Sequence, residues 1–378
     1  MSVPLPVLPD YQGANLTGLI PALTAAPGGR PPWVPAPLSE AEQVVLLVVD
    51  GLGWLQLQER LSMVPALGSM IGGPITSVVP TTTATALTSI TVSAPPAAHG
   101  IVGYKVVVQA DEAPEVMNVL RWRTPSGDAR ESVDPVGFQP LVPFGGMAIP
   151  VVSKAEFNGT GFSTAHQRGA PLASWVQASS LAVEVKRLIA EGTPLVYAYY
   201  EGIDKVAHYH GFGDHYDAEL VAVDRIVGDI LESLPAGAAL AVTSDHGQVE
   251  VGQRAQVLEP RIVEEIAMAS GEARFRWLHA SSDGAGAIDK LAALAAEVYG
   301  DEAWVATCDQ IEAEGWLGGP LAPAIRARLG DVAVVPFEPV GYLAPGETTE
   351  PLLACRHGSL TPEEMFVPLV GHRGRLGR

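Results

Sequence analysis

Short runs of apolar residues recur along the chain, and each run is followed by small or polar residues. Residues 44–49 form a β-branched run that ends at Asp50-Gly51, and residues 195–200 and 239–243 have the same form. A strand that is apolar at every position is buried on both faces, as in a parallel sheet covered by helices. The runs therefore predict a mostly parallel central sheet.

Between these runs, apolar residues recur at the spacing of an amphipathic helix. One such segment begins after Asp214, a predicted helix N-cap, and ends before Pro235, and a second spans residues 180–190. The apolar positions of the first segment are Leu220, Val223, Ile226, Val227, Ile230, Leu231 and Leu234. Helices of this kind flank a sheet, so the predicted fold class is α/β.

The later part of the chain has a different pattern of predicted elements. It contains a strand candidate at 275–278, an Ala-rich helix at 285–299, and shorter strands near 303–307 and 332–337. We interpret residues 251–345 as a small α/β subdomain inserted into the main fold.

The remaining segments are assigned around this insertion. Residues 41–250 and 346–378 are predicted to form the catalytic α/β domain, and a strand at 365–370 returns to its sheet. The Pro-rich segment 1–40 is predicted to pack on the core of that domain.

The composition indicates a globular protein with a strongly acidic surface. Of 378 residues, 47% are apolar, while 23 Lys and Arg stand against 42 Asp and Glu, which gives a formal net charge of −19. The apolar fraction excludes a disordered or fibrous chain. The negative charge repels DNA, RNA and anionic membrane surfaces, so no nucleic-acid polymer and no membrane is expected as a partner.

Two further patterns concern the cellular location. Cys308 and Cys355 lie 47 positions apart without CxxC spacing, which indicates reduced thiols instead of a disulfide framework. The N-terminal sequence has no basic stretch followed by an apolar one, and nowhere do about 18 apolar residues follow one another. The expectation is a soluble, cytoplasmic protein.

Acidic and imidazole side chains follow the predicted strands. Asp50 lies in VVDGLGW, Asp204 and His208 in EGIDKVAH, and Asp245 and His246 in TSDHGQ. The carboxyl ends of parallel strands line one crevice of a sheet, so these side chains are expected to converge. Taken singly, an Asp-Gly after a strand is typical of a turn, and a DxxxH pair of a helix surface.

A fourth element, His357 in RHG, precedes the last predicted strand. Carboxylate and neutral imidazole together suit zinc, and six such ligands are enough for two sites. Asp204 and His208 are four positions apart, so one helical turn would direct both to one ion. The four elements together favour a centre of two divalent ions, with zinc as the expected metal.

A hydroxyl-rich segment, PTTTATALTSI at residues 80–90, precedes an apolar helical pattern. Hydroxyls at a helix start are typical N-caps. A helix N-terminus also presents backbone donors and a positive dipole, which favour a phosphoryl group. A threonine that is coordinated to a metal there could attack phosphorus, and Thr81, Thr82 and Thr83 are the candidates.

In order, VVDGLGW, PTTTATALTSI, AAHGIVGY, EGIDKVAHYHG, TSDHGQ and RHG resemble the alkaline phosphatase superfamily, in its nucleotide pyrophosphatase/phosphodiesterase branch, from about residue 44 to 370. The resemblance implies a two-zinc site in which Thr83 is the nucleophile and forms a covalent phospho-threonine. It assigns Asp204, His208 and His357 to one ion, and Asp50, Asp245, His246 and Thr83 to the other. His99 matches a His-Gly of the branch that is not a ligand.

The branch usually has an Asn three positions after the nucleophile, where this chain has Ala86. An arginine clamp of the kind found in phosphomonoesterase relatives is not identifiable in the sequence. The resemblance implies cleavage of phosphodiester or pyrophosphate bonds in a small, soluble, nucleotide-like substrate. Because Ala86 replaces the usual Asn, phosphomonoester cleavage is the alternative.

The flanks of these motifs supply candidates for substrate binding. They are Lys105 after HGIVGY, and Phe157, Thr164 and His166 in AEFNGTGFSTAHQRG. Aromatic, Gly-rich loops hold a nucleobase or aryl group by stacking, although such residues are more often structural. His210 and His215 are expected to face solvent.

Other readings remain open at the level of the sequence. They are a phosphonate- or sulfate-ester hydrolase, a phosphosugar mutase of the same superfamily, and a non-catalytic metal-binding protein. Retention of six ligands with a spare nucleophile argues against the last, because structural zinc sites are closed cages of four ligands. The sequence does not indicate an oligomeric state.

Overall fold

A seven-stranded mixed sheet forms the centre of the protein in a computed structural model that describes residues 3–109, 113–282, 284–347 and 353–374. The strands are β1 Gln43–Val49, β2 Ile71–Thr76, β3 Lys105–Gln109, β4 Pro114–Asn118, β5 Arg123–Thr124, β6 Gly127–Asp128, β7 Val151–Lys154, β8 Leu172–Trp175, β9 Leu195–Tyr200, β10 Ala238–Thr243, β11 Val249–Glu250, β12 Ala255–Val257, β13 Ile266–Glu272, β14 Phe275–Ala280, β15 Ala303–Thr307, β16 Val332–Pro336, β17 Gly341–Leu343, β18 Cys355–Arg356 and β19 Phe366–Arg373.

The order of strands in the central sheet is β2-β19-β10-β1-β9-β7-β8. The five strands from β10 to β8 are mutually parallel, while β19 runs antiparallel to both β10 and β2. The apolar runs at 44–49, 195–200 and 239–243 are the three middle strands, and β1 and β10 are buried almost throughout. The predicted α/β fold with a mostly parallel sheet is confirmed.

Helices cover both faces of the sheet. The α-helices are α1 Leu19–Thr24, α2 Ala36–Ser39, α3 Trp54–Arg60, α4 Pro65–Gly68, α5 Thr83–Val92, α6 Pro96–His99, α7 Pro135–Phe138, α8 Gly161–Gln167, α9 Leu181–Ala190, α10 Gly202–His210, α11 Asp214–Ser233, α12 Pro260–Glu265, α13 Ala287–Tyr299, α14 Cys308–Ala313, α15 Pro323–Arg326 and α16 Pro362–Met365. Among the described residues, no helix has both the length and the apolar character needed to cross a membrane.

Helix α11 shows how the predicted pattern becomes packing. Its seven predicted apolar positions lie in the hydrophobic cluster on one face of the sheet, together with those of α9. The predicted N-cap is wrong by one residue: Gly213 occupies the cap position, and Asp214 is the first helical residue. In that place the Asp214 carboxylate still lies in the first turn, where it favours the helix dipole.

A second sheet, β13-β14-β16-β15, lies within residues 251–345. Phe275, Trp277 and Val335 on one of its faces join the main hydrophobic core. Leu278 and Val334 on its other face pack in a cluster with residues of α13. The sheet is therefore sandwiched between that helix and the rest of the protein. Whether residues 251–345 form a separate subdomain stays an interpretation.

Two further features lie outside the central sheet. A four-stranded antiparallel sheet, β3-β4-β5-β6, follows α6, and the sequence did not predict it. In the Pro-rich N-terminal segment, Leu16, Leu19 and Leu38 are fully buried in the main core. Cys308 and Cys355 are buried and not bonded to each other.

Candidate active site

Asp50 and Asp204 come together at the carboxyl ends of neighbouring strands. Asp50 follows β1 directly, and its backbone carbonyl accepts a hydrogen bond of 3.1 Å from the amide of Asp204 in α10. Gly51 has a φ of +74°, and a Cβ there would lie 2.9 Å from the Cα of Asp204. Only glycine permits this turn and this approach, so the DG pair of the sequence brings two carboxylates into one site.

Asp245 and His246 enter from β10 through a short turn. The Oδ1 atom of Asp245 accepts hydrogen bonds from the amides of Gly51 at 3.2 Å and of His246 at 3.1 Å. Both residues have no exposed surface. These bonds hold the carboxylate so that its second oxygen, Oδ2, lies 3.5 Å from Nε2 of His246.

His357 reaches the same place from the short strand β18. Its neighbour Gly358 donates its amide to Oγ1 of Thr81 at 3.0 Å, and the Thr81 hydroxyl donates to the carbonyl of Ser359 at 2.8 Å. The RHG segment is thereby bound to the loop that precedes α5, which carries the candidate nucleophile.

Three histidines present the same ring nitrogen to the site. Nδ1 of His208 lies 2.7 Å from the carbonyl of Cys355, Nδ1 of His246 3.0 Å from that of Gly247, and Nδ1 of His357 2.8 Å from that of Thr81. Because a carbonyl only accepts, each Nδ1 must carry the proton. Each Nε2 is then a bare lone-pair donor, which is the form that binds a metal ion.

The ligand atoms form two groups. Asp204, His208 and His357 are mutually within 4.8 Å, as are Asp50, Asp204 and His246. Nε2 of His208 lies 3.3 Å from Asp204 Oδ1, and Nε2 of His246 lies 3.4 Å from Asp50 Oδ1. The first group is the trio that the resemblance assigned to one ion. The second group contains Asp204 in place of the expected Asp245. Asp245 lies next to this group, because its Oδ2 atom is 3.5 Å from Nε2 of His246.

The carboxylates have oxygen atoms that the protein does not satisfy. Oδ1 of Asp50, Oδ1 of Asp204 and Oδ2 of Asp245 are buried and accept no hydrogen bond within the described residues. A buried carboxylate oxygen without a partner costs free energy unless a cation supplies the missing contact. Orphaned carboxylate oxygens beside bare imidazole nitrogens fit divalent cations with N/O coordination.

The electrostatics lead to the same conclusion. Burial, together with repulsion from Asp245 and Asp204, raises the pKa of Asp50 well above its ordinary value. Burial and the neighbouring His246 and His208 lower the pKa of His357 well below its ordinary value. The imidazole of His357 therefore stays neutral, and the carboxylates have no cationic partner in the described part of the chain, so the arrangement is a candidate Asp/His metal centre.

Tyr199 is a functional candidate that the sequence analysis missed. Its hydroxyl donates a short hydrogen bond to Oδ2 of Asp50, which leaves Oδ1 for a ligand. Burial and the nearby Asp50 raise the pKa of Tyr199, so the phenol keeps its proton. A tyrosine in a buried strand usually needs a polar partner for its hydroxyl, and that was the available signal in the run 195–200.

Thr83 is the first residue of α5, beside the metal centre. Its Oγ1 lies 3.2 Å from Nε2 of His246, and the residue is 7% exposed. Thr82 occupies the N-cap position but makes no capping bond with its side chain. The hydroxyl of Thr81 is engaged by the RHG segment. Of the three threonines, Thr83 is therefore the one whose hydroxyl contacts a candidate ligand.

A cavity with two connected lobes opens above this centre. One lobe has a volume of about 310 Å³ and is bordered by His208, Glu272 and His357. The other has a volume of about 520 Å³ and extends towards the start of α8. The residues that line both lobes are Thr83, Tyr104, Leu120, Arg121, Asp204 and Lys205. The candidate nucleophile thus lies where the two lobes meet.

The candidate substrate-binding residues are placed in different ways. Phe157 and His166 line the larger lobe. Thr164 is not among the lining residues, and its hydroxyl donates to the carbonyl of Thr160 one helical turn earlier, at 2.9 Å. Lys105 is also not among them, because its ammonium group lies 2.5 Å from the carboxylate of Glu347.

Three other histidines that the sequence analysis considered, His99, His210 and His215, lie outside the candidate metal centre. His99 is buried, and its Nε2 is 2.8 Å from the hydroxyl of Ser89, while burial lowers its pKa to about 3. It joins α6 to α5 and contacts no candidate ligand. His210 and His215 are exposed and stack on each other with 4.0 Å between ring centroids.

Ala86 is buried in the main hydrophobic core and does not line the cavity. Its methyl group therefore supplies no polar contact to a ligand in the cavity. Arg121, in the turn between β4 and β5, is a cationic residue that the sequence analysis missed, because nothing in its local pattern indicates a position at the site.

Comparisons with known proteins agree with this architecture. A model of the family "type I phosphodiesterase / nucleotide pyrophosphatase" matches residues 44–303. No curated protein sequence matches the chain at a significant level.

Solved structures with a similar fold include murine and human ectonucleotide pyrophosphatase/phosphodiesterase 5 and the phosphonoacetate hydrolase of Sinorhizobium meliloti. The murine protein is 15% identical, with a TM-score of 0.63 and coverage of 87% of this chain and 88% of that one. The human protein is 14% identical, with a TM-score of 0.62 and coverage of 87% of this chain and 87% of that one. The hydrolase, solved in complex with phosphonoformate, is 17% identical, with a TM-score of 0.61 and coverage of 94% of this chain and 94% of that one.

The matched segment contains five of the six candidate ligands and Thr83, and it covers more than half of the chain. The chain belongs to the type I phosphodiesterase / nucleotide pyrophosphatase family of the alkaline phosphatase superfamily.

Proposed function

We propose that the protein hydrolyses phosphodiester or pyrophosphate bonds in a small, nucleotide-like substrate, using two divalent metal ions and Thr83 as the nucleophile. One observation carries the proposal: the hydroxyl of Thr83 lies 3.2 Å from Nε2 of His246, beside carboxylate oxygens that have no hydrogen-bond partner among the described residues. That position is also the meeting point of the two cavity lobes.

The proposed ligands are Asp204, His208 and His357 for one ion, and Asp50, His246 and Asp245 for the other, with Asp204 close to both. Zinc is the expected ion, because neutral imidazole and carboxylate are its usual ligands. Bound divalent ions would lower the pKa of the Thr83 hydroxyl and offset the negative charge of the phosphoryl oxygens.

The residues of the candidate site would have distinct roles in this reaction. Thr83 would attack phosphorus and displace one arm of the substrate, which would depart as an alcohol or phosphate with the proton that the Thr83 hydroxyl loses. Water would then cleave the phospho-threonine and restore the hydroxyl. Since Thr83 begins α5, the amides of the first turn would favour the negative charge of phosphoryl oxygens bound there. Tyr199 would orient Asp50, and the backbone carbonyls would hold the three imidazoles in the tautomer that binds a metal.

The two lobes support a substrate with two organic arms on one phosphorus. One arm would lie against Phe157 and His166, and the other on the side of Glu272, with phosphorus at Thr83. A variant of the murine relative that is described as inactive was solved with AMP, and the hydrolase from Sinorhizobium meliloti with phosphonoformate. Both are small phosphorus compounds, which supports this substrate class. The cytoplasmic location stays a prediction.

Phosphomonoester cleavage is the second candidate, because the metal centre suits either reaction. Hydrolysis of bis-p-nitrophenyl phosphate beside p-nitrophenyl phosphate by zinc-loaded protein separates the two. We expect faster cleavage of the diester, and a loss of about 1,000-fold or more in Thr83→Ala with its metal content unchanged.

Thr164→Ala is the matched control, since the hydroxyl of Thr164 bonds within its own helix and does not line the cavity. This variant should keep full activity. Faster cleavage of the monoester would instead indicate that the protein is a phosphomonoesterase. A metal-loaded protein that cleaves neither ester would support a non-catalytic metal-binding role.

A further inference from the structure

Arg121 lies at the junction of the two cavity lobes. It belongs to the turn between β4 and β5, and it lines both lobes together with Thr83 and Asp204. Thr83 is 7% exposed, whereas Arg121 is exposed to solvent. The guanidinium group is therefore at the rim of the cavity, and the candidate nucleophile is at its floor.

The turn that carries Arg121 is firmly held. The amide of Arg121 donates to the side-chain oxygen of Asn118 at 3.0 Å, and the side-chain nitrogen of Asn118 donates to the hydroxyl of Tyr104 at 2.6 Å. The next residue, Trp122, is fully buried, and its indole donates to the carbonyl of Val133 at 2.8 Å. The backbone of Arg121 is thus fixed before any ligand arrives, which lowers the entropic cost of binding.

The guanidinium group of Arg121 has no ion pair or hydrogen bond with any residue that the structure describes. By contrast Lys205, the other cation that lines both lobes, lies 3.1 Å from a carboxylate oxygen of Glu201. In a chain with a net charge of −19, an arginine on a fixed backbone turn, without a described carboxylate partner, is available at the cavity rim for an anion from outside the protein.

The charges at the floor of the cavity indicate which anion this is. Three aspartates and an ionised Thr83 would carry four negative charges, which two divalent ions balance. The charge of Arg121 is thus additional to that balance and is available to an anionic group of the substrate, and Arg121 lies at the exposed rim whereas Thr83 lies at the floor. A guanidinium group binds phosphate or carboxylate through two parallel hydrogen bonds.

We propose that Arg121 determines substrate specificity by binding a second oxyanion, a phosphate or a carboxylate, on an arm of the substrate next to the phosphorus that reacts. The preferred substrates are then small phosphoric esters or anhydrides with at least two anionic groups. This inference rests on the proposed function and narrows its substrate class.

The test uses three p-nitrophenyl phosphodiesters that differ only in the second arm: ethyl, 2-carboxyethyl and 2-phosphonooxyethyl. We expect kcat/KM of the zinc-loaded protein to be about tenfold or more higher for at least one anionic arm than for ethyl, because a charge-assisted bidentate contact is added. Which anionic arm is faster distinguishes carboxylate from phosphate.

Arg121→Gln should lower kcat/KM for the preferred anionic ester by about tenfold or more relative to the ethyl ester, so that the preference for the anionic arm disappears. Arg123→Gln is the matched control, because Arg123 is exposed on the same hairpin and does not line the cavity. Equal kcat/KM for all three esters in the wild-type protein would refute the inference. A uniform loss for all three esters in Arg121→Gln would also refute it, since Arg121 would then act on the phosphoryl group that is transferred.

A binding measurement separates this inference from the proposed function. Calorimetry of the metal-loaded protein with methylenediphosphonate and with methylphosphonate compares two anionic groups with one, and it requires no turnover. We expect tighter binding of the diphosphonate, by about tenfold or more, and loss of that difference in Arg121→Gln. Equal binding of both probes by the wild-type protein would contradict the role of Arg121, even if hydrolysis were established.

Discussion

Three histidines of the candidate metal centre are each held in one tautomer by a backbone carbonyl. Sequence patterns can name such histidines: His208 and His246 follow strands and accompany aspartates, and His357 lies in the RHG motif. They cannot name the carbonyls that come from distant positions: His208 is held by Cys355 and His357 by Thr81, whereas His246 is held by the adjacent Gly247. The state of each ring nitrogen therefore became visible only in the folded protein.

Tyr199 offers a test at the scale of one hydrogen bond. Because its hydroxyl donates to Oδ2 of Asp50, Tyr199→Phe should weaken zinc affinity by about 10- to 100-fold. Zinc titration of the metal-free protein measures this, and excess zinc should restore most of the turnover.

Tyr200→Phe serves as the control, since the hydroxyl of Tyr200 donates to Glu219 instead of to a candidate ligand. Unchanged zinc affinity in Tyr199→Phe would show that the bond to Asp50 does not orient a metal ligand.

At the scale of elements, the sequence predicted those with a strong period or a continuous apolar run. Strands β1, β9 and β10 and helix α11 fall where they were expected, because burial of their side chains dominates their composition. The sheet β3-β4-β5-β6 was missed, since β5 and β6 have only two residues each and show no period. That sheet carries Arg121, so the rim of the cavity was missed with it.

A buried ion pair connects the second sheet to the segment that precedes the last strand. Arg274, in the turn between β13 and β14, contacts both carboxylate oxygens of Glu364 in α16 at 2.8 and 2.7 Å. Both side chains have no exposed surface. Arg274→Met leaves the carboxylate buried and unpaired, so we expect the free energy of unfolding to fall by about 3–5 kcal/mol. Equilibrium denaturation with urea measures the change.

Arg261→Met is the corresponding surface control. Arg261 pairs with Glu297, and both side chains are more than half exposed. Exposed pairs contribute about 0–1 kcal/mol. A similar, small loss in both variants would indicate that the second sheet does not depend on the buried pair.

At the scale of the whole molecule, the distribution of charge matters more than its sum. The chain has a net charge of −19, and three of its aspartates face one another at the site without a counter-charge from the residues that the structure describes. Divalent ions would supply this counter-charge and also stabilise the native state, because they bind it in preference to the unfolded chain.

We therefore expect chelation to abolish ester hydrolysis and to lower the melting temperature measured by calorimetry, and added zinc to restore both. Full turnover by a protein whose metal content has been shown to be negligible would exclude the proposed mechanism. A lower melting temperature with unchanged turnover would assign the ions to stability alone.

The stereochemistry at phosphorus tests the central claim, a covalent intermediate on Thr83, most directly. One stereoisomer of a chiral phosphorothioate diester is converted by the enzyme in methanol-containing buffer, and the configuration of the methyl ester product is determined by phosphorus NMR. Attack by Thr83 followed by attack of methanol consists of two in-line displacements, so the account predicts net retention of configuration. Net inversion would mean that methanol attacks the substrate directly, and it would contradict a phospho-threonine intermediate.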